Sequence, residues 1–102
     1  SLAANKKDAL RNADIVTTDV WTSMSSNTKL KDRKKIFKEF FVSPDDMKKA
    51  KDKSIFLHCL PAHRGEEITE EALESQSSNV FDQAENRLHV QQALLAVQLG
   101  GI

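Results

Sequence analysis

Short apolar segments that alternate with helical segments most constrain how this chain can fold. The apolar segments are rich in β-branched or aromatic residues and are bounded by polar sequence, as buried strands are. They lie at residues 15–18 (IVTT), 54–58 (SIFLH) and 79–81 (NVF). Helices are predicted around them, at residues 6–13, 28–40, 44–51, 70–75 and 82–99. Strands that alternate with helices in this way favour an α/β fold whose strands run parallel.

The predicted helices begin at recognisable capping residues. Ser43 precedes Pro44 in the order preferred for an N-cap and a first helical position, and Thr69 can cap the next helix. Asp82, with Glu85 following it, is typical of a capping box at the start of the last helix. The few short strands make a thin sheet, whereas a parallel sheet is normally covered on both faces. We therefore expect this chain to be one portion of a doubly wound, Rossmann-like domain with flanking helices.

The composition argues against several classes of protein. The chain has 102 residues, enough for one core, and its 15 basic residues balance 15 acidic ones, which argues against bulk electrostatic binding to nucleic acid. No apolar run is long enough to span a membrane. A single cysteine excludes a disulfide framework, and without a CxxC pair a structural zinc site is not expected. We predict no metal, no nucleic-acid partner and no membrane partner.

Polar or reactive side chains follow the ends of the predicted strands. In open parallel sheets ligands bind at the carboxyl ends of the strands, so the predicted site comprises residues 19–24, 59–64 and 82–87. Asp19 could hold a ligand ammonium group, or it could simply cap a turn. Cys59 could be reached by a substrate, although a lone cysteine is more often a small buried residue. The convergence of the three segments, more than any single side chain, indicates a site.

Other polar side chains near these ends have less specific interpretations. Ser23 could bond the local backbone. Arg87 lies near the positive end of its helix and gains nothing from the helix dipole, which suits an anionic ligand. An ion pair of Arg87 with Glu85 or Asp82 is equally compatible with the sequence.

The histidines and acids beside Cys59 are given structural interpretations. His58 and Cys59 are adjacent at a strand end, where successive side chains point to opposite faces, so they are not expected to form a catalytic pair. His63 is predicted to lie in a loop or face solvent, and Glu66 and Glu67 are predicted to lie on the surface of the same loop.

The motifs at the strand ends resemble the C-terminal part of ornithine carbamoyltransferases. These motifs are DVWTSM, HCLPAHRGEEIT and FDQAENRLH, at residues 19–24, 58–69 and 81–89, and their order and spacing also match the family. The resemblance covers residues 8–95 and implies the C-terminal part of an ornithine-binding domain. The Ser-Thr-Arg-Thr loop and His-Pro-x-Gln motif of the family's carbamoyl phosphate domain are absent here, so we expect this chain alone to be inactive.

The resemblance implies that three residues bind ornithine. Asp19 matches the carboxylate that holds the α-ammonium group, and Ser23 and Met24 match the pair that contacts the amino acid end. The family usually has glycine after this pair, whereas Ser25 stands here. A side chain at this position limits the backbone freedom that glycine allows in a substrate-closing loop.

The resemblance also implies how the second substrate is bound. Cys59 and Leu60 match the pair beside the ornithine δ-amine and the carbamoyl group, and Arg87 matches the arginine that contacts carbamoyl phosphate. Cys59 and Arg87 are therefore the predicted catalytic residues. The implied reaction carbamoylates the δ-amine of L-ornithine, releases citrulline and phosphate, and uses no metal or organic cofactor.

Further expectations follow from the resemblance. The full-length enzyme is expected to be a homotrimer that acts in arginine metabolism or the urea cycle, in the cytoplasm or, alternatively, in the mitochondrial matrix. Two other functions remain open on the sequence. One is a non-catalytic binding or interaction module that retains part of the fold, and the other is a carbamoyltransferase for a related amine such as putrescine.

Overall fold

A computed structural model describes residues 1–22 and 30–101 of the chain, with side chains throughout these ranges except at residues 30 and 31. Helices alternate with two of the three predicted strands. The elements are α1 (Lys6–Leu10), β1 (Ile15–Thr18), α2 (Leu30–Phe37) with a 3-10 turn (Lys38–Phe40), α3 (Pro44–Met47), β2 (Ile55–His58), α4 (Glu70–Leu73) and α5 (Val80–Gln98). The α/β prediction is confirmed.

The sheet in the described part of the chain consists of β1 and β2, which pair in parallel. Ile15 lies opposite Ile55 and Thr18 lies opposite His58, so the two strands end at the same edge. Alternate residues of β2 point into the core, and Phe56 and His58 are fully buried. This register determines which loop residues become neighbours beyond the strand ends.

The third predicted strand, residues 79–81, is wrong. The chain makes only an isolated parallel bridge to β2 at Ser78, and α5 begins at Val80 rather than at Asp82. The predicted capping box at Asp82 is wrong for the same reason: Asp82 lies in the first turn, and Asn79 is the N-cap. A run this short shows no periodicity by which a strand could be distinguished from the buried start of a helix. Val80 is apolar because it is fully buried.

The core lies between the sheet and the short helices on one side. Its buried apolar residues are Leu10, Val16, Val42, Met47, Phe56, Ile68, Ala72, Leu73 and Val80. Helix α5 contributes only Val80 to this core, and its large apolar side chains are otherwise exposed. They are Phe81, Leu88, Val90, Leu94, Leu95 and Val97, and the C-cap residue Leu99 is exposed as well. Among the described residues, no helix combines the length and the apolar character that a membrane span requires.

A buried carboxylate joins α1 to α3. Ser43 is the N-cap of α3, as predicted, and it forms a capping box with Asp46. The Asp46 carboxylate is almost fully buried and accepts hydrogen bonds from Lys6 and Lys49, each at 2.9 Å. Burial alone would raise the pKa of Asp46, but the hydrogen bonds from Lys6, Lys49 and Ser43 outweigh it and lower this pKa to about 2.

We predict that Asp46→Asn lowers the free energy of unfolding near neutral pH by roughly 2 kcal/mol. A folded-state pKa below the unfolded value stabilises the fold above pH 4, and this contribution is lost as the pH falls towards 2. Urea unfolding of parent and variant across this range should therefore show curves that converge at low pH.

Asp45→Asn is the matched control for Asp46→Asn. Asp45 is the neighbouring acid, and its contact with Lys48 at 2.8 Å is solvent-exposed. Exposed ion pairs contribute little to stability, so this variant should unfold almost like the parent. Equal effects of the two substitutions would contradict the role assigned to Asp46.

Candidate functional site

The carboxyl ends of the two strands bring Asp19 and Cys59 into contact. Asp19 follows β1 and Cys59 follows β2, directly after the paired residues Thr18 and His58. The Cys59 thiol donates a hydrogen bond to Asp19 Oδ1 with a distance of 3.3 Å. The parallel register therefore places a carboxylate and a thiol, which are distant in sequence, at one point on the sheet edge.

The Asp19 carboxylate is charged at neutral pH and exposed to solvent. Its Oδ1 accepts the Val20 N–H at 2.7 Å, and this hydrogen bond, followed by that from Cys59, lowers the pKa of Asp19. The other oxygen, Oδ2, has no hydrogen-bond donor among the residues that the structure describes. One oxygen thus fixes the carboxylate in place, while the other can accept hydrogen bonds from a cationic ligand.

The Cys59 thiol is held in its neutral form. Partial desolvation of the sulfur raises the pKa of Cys59, although the residue is exposed, and the hydrogen bond and negative charge of Asp19 raise it further, whereas the positive charge of Arg87 has a smaller, opposite effect. A reactive cysteine needs its thiolate, which a lowered pKa provides. Cys59 has the opposite shift, so its chemistry here is that of a hydrogen-bond donor rather than a nucleophile.

Leu60 adopts a backbone conformation that few leucines adopt. Its φ of 55° lies in the left-handed region, where the Cβ atom is crowded. The Leu60 N–H donates a hydrogen bond to His58 Nδ1 at 2.8 Å, and this bond holds the turn against the end of β2. Such conformations persist where the surroundings enforce them and are concentrated at functional sites.

A buried pair that the sequence interpretation missed lies beneath this turn. His58 and Glu67 are both fully buried, and His58 Nε2 lies 2.9 Å from Glu67 Oε1. The prediction that Glu67 lies on the loop surface is wrong, while Glu66 is partly exposed and pairs with Lys34 at 3.1 Å. The alternation of β2 could have predicted a buried His58, which needs a partner. Nothing in the sequence selects Glu67 over Glu66 as that partner.

Helix α5 places Arg87 near enough to Cys59 for its positive charge to act on the thiol. Arg87 lies about two turns into the helix and lines a groove of about 590 Å³ with Leu57 and Gln83. Gln83 Oε1 accepts the His58 N–H at 2.9 Å, so α5 is hydrogen-bonded to the end of β2. The ion pair of Arg87 with Asp82 or Glu85, left open by the sequence, does not form among the described residues.

Two predicted site residues, Ser23 and Met24, lie outside the described residues. Within the described ranges, His63, Glu66 and Glu67 bring potential metal-ligand atoms within 4.8 Å of one another. Glu66 is already paired with Lys34, and Glu67 Oε1 also accepts the His63 N–H at 2.7 Å. This group is therefore better described as an internal hydrogen-bond network than as a metal centre.

Comparisons with known proteins agree with the motifs. Residues 1–98 match the family described as "Aspartate/ornithine carbamoyltransferase, Asp/Orn binding domain". The ornithine carbamoyltransferase of Prochlorococcus marinus is 57% identical over 98 residues, which cover 96% of this chain and 31% of that protein. This chain therefore spans about a third of the length of such relatives.

Solved structures give the same result for the fold. The ornithine carbamoyltransferase from Pyrococcus furiosus superposes with a TM-score of 0.86 at 50% identity and covers 96% of this chain, which is 31% of that chain. The anabolic ornithine carbamoyltransferase from Campylobacter jejuni gives a TM-score of 0.87 at 37% identity, over 98% of this chain and 33% of that chain. Because the family model matches residues 1–98 and the relatives agree in sequence and in fold, this chain belongs to the aspartate/ornithine carbamoyltransferase family.

Proposed function

We propose that this chain forms the ornithine-binding part of an ornithine carbamoyltransferase, whose carbamoyl phosphate domain lies outside these residues. The enzyme transfers the carbamoyl group of carbamoyl phosphate to the δ-amine of L-ornithine and releases citrulline and phosphate. The observation that carries the proposal is the contact between Asp19 and Cys59 at the carboxyl ends of β1 and β2. This is the sheet edge where ligands bind in open parallel sheets.

Asp19 is proposed to hold the α-ammonium group of ornithine. The low pKa of its carboxyl keeps it charged, and Oδ2 is open to a donor among the described residues. A charge-assisted hydrogen bond to this oxygen would anchor the amino acid end of the substrate. Ser23 and Met24, on the same segment after β1, are proposed to complete this part of the site.

Cys59, Leu60 and Arg87 are proposed to contact the reacting groups. The neutral δ-amine attacks the carbamoyl carbon, the bond from that carbon to the phosphate oxygen breaks, and the proton lost by the amine nitrogen passes to the departing phosphate. Negative charge develops on the carbonyl and phosphate oxygens during this step. Arg87 supplies a fixed positive charge for these oxygens, because its guanidinium remains protonated.

The neutral state of Cys59 is compatible with direct transfer between the substrates. A thiolate could attack the carbamoyl carbon itself, which would add a covalent intermediate to the reaction. The raised pKa of Cys59 disfavours that route and favours a thiol that helps to place the amine. Cys59 is thus proposed to orient the substrate without forming a bond to it.

The full enzyme is proposed to be a homotrimer in which this chain covers only part of the active site. Transfer requires that carbamoyl phosphate be held against the amine, and orientation contributes roughly 7–11 kcal/mol to such reactions. The side chains proposed here for that ligand, Cys59, Leu60 and Arg87, do not form a phosphate-binding pocket on their own. The carbamoyl phosphate domain and a neighbouring subunit are proposed to provide the rest.

A chimaera provides a direct test of activity. This chain replaces the matching segment of the Prochlorococcus marinus relative, where 57% identity favours correct folding. Citrulline formation from ornithine and carbamoyl phosphate is the expected result. A folded chimaera without this activity would contradict the proposal, and faster turnover of putrescine would assign a different substrate.

In the chimaera, Asp19→Asn should raise the KM for ornithine roughly 10- to 100-fold, because a charge-assisted hydrogen bond contributes about 1.5–3 kcal/mol. The KM for carbamoyl phosphate should change little, as measured by steady-state assays of citrulline. Asp14→Asn is the control, since Asp14 precedes the same strand and contacts Lys51 at its opposite end. An unchanged ornithine KM would remove Asp19 from the substrate site.

Alkylation of Cys59 tests the electrostatics of the pair. Asp19 raises the pKa of Cys59, so Asp19→Asn should lower it, increase the thiolate fraction and accelerate the reaction with iodoacetamide severalfold at pH 7.5. Mass spectrometry can follow this in the isolated chain, where Cys59 is the one cysteine. Asp14→Asn should leave the rate unchanged, and a slower reaction of Asp19→Asn would contradict the assigned contact.

Arg87→Ala in the chimaera should raise the KM for carbamoyl phosphate roughly tenfold or more, and that for ornithine much less, because a bond to a charged group is lost. Steady-state kinetics with each substrate varied in turn measures both constants. Arg11→Ala is the control, since Arg11 is exposed and, within the described ranges, its guanidinium pairs with Asp8 of α1 alone. Equal losses for the two substrates would indicate a structural role for Arg87 in α5.

A further inference from the structure

We infer that Glu67 is a positioning residue for carbamoyl transfer, which acts through His58 on the backbone of Leu60 and hence on Cys59. The inference rests on the proposed function and adds a pair of residues to it. Neither Glu67 nor His58 is exposed, so neither can contact a substrate directly in this structure. Their influence on the reaction must pass through the turn that they support.

The hydrogen bonds form a continuous chain from Glu67 to Leu60. Glu67 Oε1 lies 2.9 Å from His58 Nε2, and His58 Nδ1 accepts the Leu60 N–H at 2.8 Å. Because Nδ1 accepts, it carries no proton, and the proton of the neutral ring is therefore on Nε2. The Nε2–H then donates to Glu67. The Leu60 N–H can bond to Nδ1 only while Nε2 carries the ring proton, and the hydrogen bond to Glu67 favours that state.

Glu67 therefore selects the tautomer that the turn needs. Without an acceptor at Nε2, the ring can carry its proton on Nδ1 instead. A protonated Nδ1 cannot accept a hydrogen bond from the Leu60 N–H. The left-handed conformation of Leu60, with φ of 55°, would lose the hydrogen bond that holds it. Cys59 lies between the two bonded residues and would shift with them.

Glu67 also holds the far side of the same loop. Its Oε1 also accepts a hydrogen bond from the His63 N–H at 2.7 Å. One oxygen therefore contacts both the His58 ring, at the end of β2, and the backbone of the loop that follows Pro61. Its Oε2 has no hydrogen-bond partner among the described residues. The function of this side chain in the fold is thus to accept two N–H groups at a single atom, which an uncharged amide oxygen can also do.

The charge state of Glu67 and its role as an acceptor can be separated by substitution. Glu67→Gln retains an oxygen for both N–H groups, whereas Glu67→Leu fills a similar volume and accepts neither. In the chimaera, Glu67→Leu should lower kcat for citrulline formation by about 100-fold, as expected when reacting groups are misplaced by about 1 Å. Glu67→Gln should stay within about fivefold of the parent kcat.

The ratio of kinetic constants distinguishes positioning from general destabilisation. The ornithine KM should change by less than about threefold in both variants, because the Val20 N–H holds Asp19 independently of Glu67. The control is Asp46→Asn, which weakens another buried carboxylate network, formed with Lys6 and Lys49 and without a side-chain hydrogen bond to His58 or Glu67 among the described residues. It should lower the melting temperature and leave kcat and KM unchanged.

A spectroscopic measurement tests the tautomer in the unsubstituted chimaera. Nitrogen-15 NMR of labelled histidine rings distinguishes a protonated from an unprotonated nitrogen, and His58→Asn assigns the signal by its loss. The expected state is a protonated Nε2 and an unprotonated Nδ1. The tautomer itself is measured in the unsubstituted chimaera, so a ring protonated at Nδ1 would overturn the inference even if Glu67→Leu does not fold.

Several results would overturn the inference. They are a folded Glu67→Leu with parental kcat, a Glu67→Gln as impaired as Glu67→Leu, or a His58 ring protonated at Nδ1. Parallel losses of kcat and melting temperature in Glu67→Leu and Asp46→Asn would indicate a structural role only. An unsubstituted chimaera that is folded but makes no citrulline would instead contradict the proposed function, and this inference with it.

Discussion

The parallel pairing of β1 with β2 is the constraint on which the candidate site depends. Because Thr18 lies opposite His58, the residues that follow the two strands must leave the sheet side by side. If the pairing register shifted by one residue, each side chain of β2 would face the opposite side of the sheet. His58 would then be exposed and Leu57 buried. The site is thus a consequence of the same alternation that fills the core with Phe56, and selection for a packed core also fixes the position of Cys59.

Local sequence signals predicted the parts of the fold that depend on local chemistry. Both paired strands and the capped start of α3 at Ser43 follow from β-branched composition and side-chain hydrogen bonds within a few residues. The segment at residues 79–81 was mispredicted because Val80 is apolar for a tertiary reason: it is covered by the sheet and the helices. Burial produces the same composition in a strand and at a helix start, so only the position of the neighbouring elements separates the two.

The candidate site likewise has one part that the sequence predicts and one part that depends on the tertiary fold. Topology alone predicts that Asp19 and Cys59 lie near each other, since both follow strands that pair. The partnership of His58 with Glu67 depends on the path of the loop after Pro61, which no periodicity encodes. Two adjacent acids occur in that loop, and one is buried while its neighbour reaches Lys34 at the surface. A sequence pattern can therefore locate the chemistry at the sheet edge, but the support beneath it is a property of the fold.

The two buried carboxylates in the described part of the chain illustrate two ways to stabilise an acid inside a small domain. Asp46 is surrounded by ammonium groups from Lys6 and Lys49, and the resulting low pKa makes it a charged link between helices. Glu67 has no lysine or arginine within ion-pair distance among the described residues and instead accepts N–H groups of neutral character. An acid bound by cations is replaced poorly by an amide, whereas an acid that serves as an acceptor is replaced well. The difference in partners thus separates a residue that holds helices together from one that fixes the orientation of a ring.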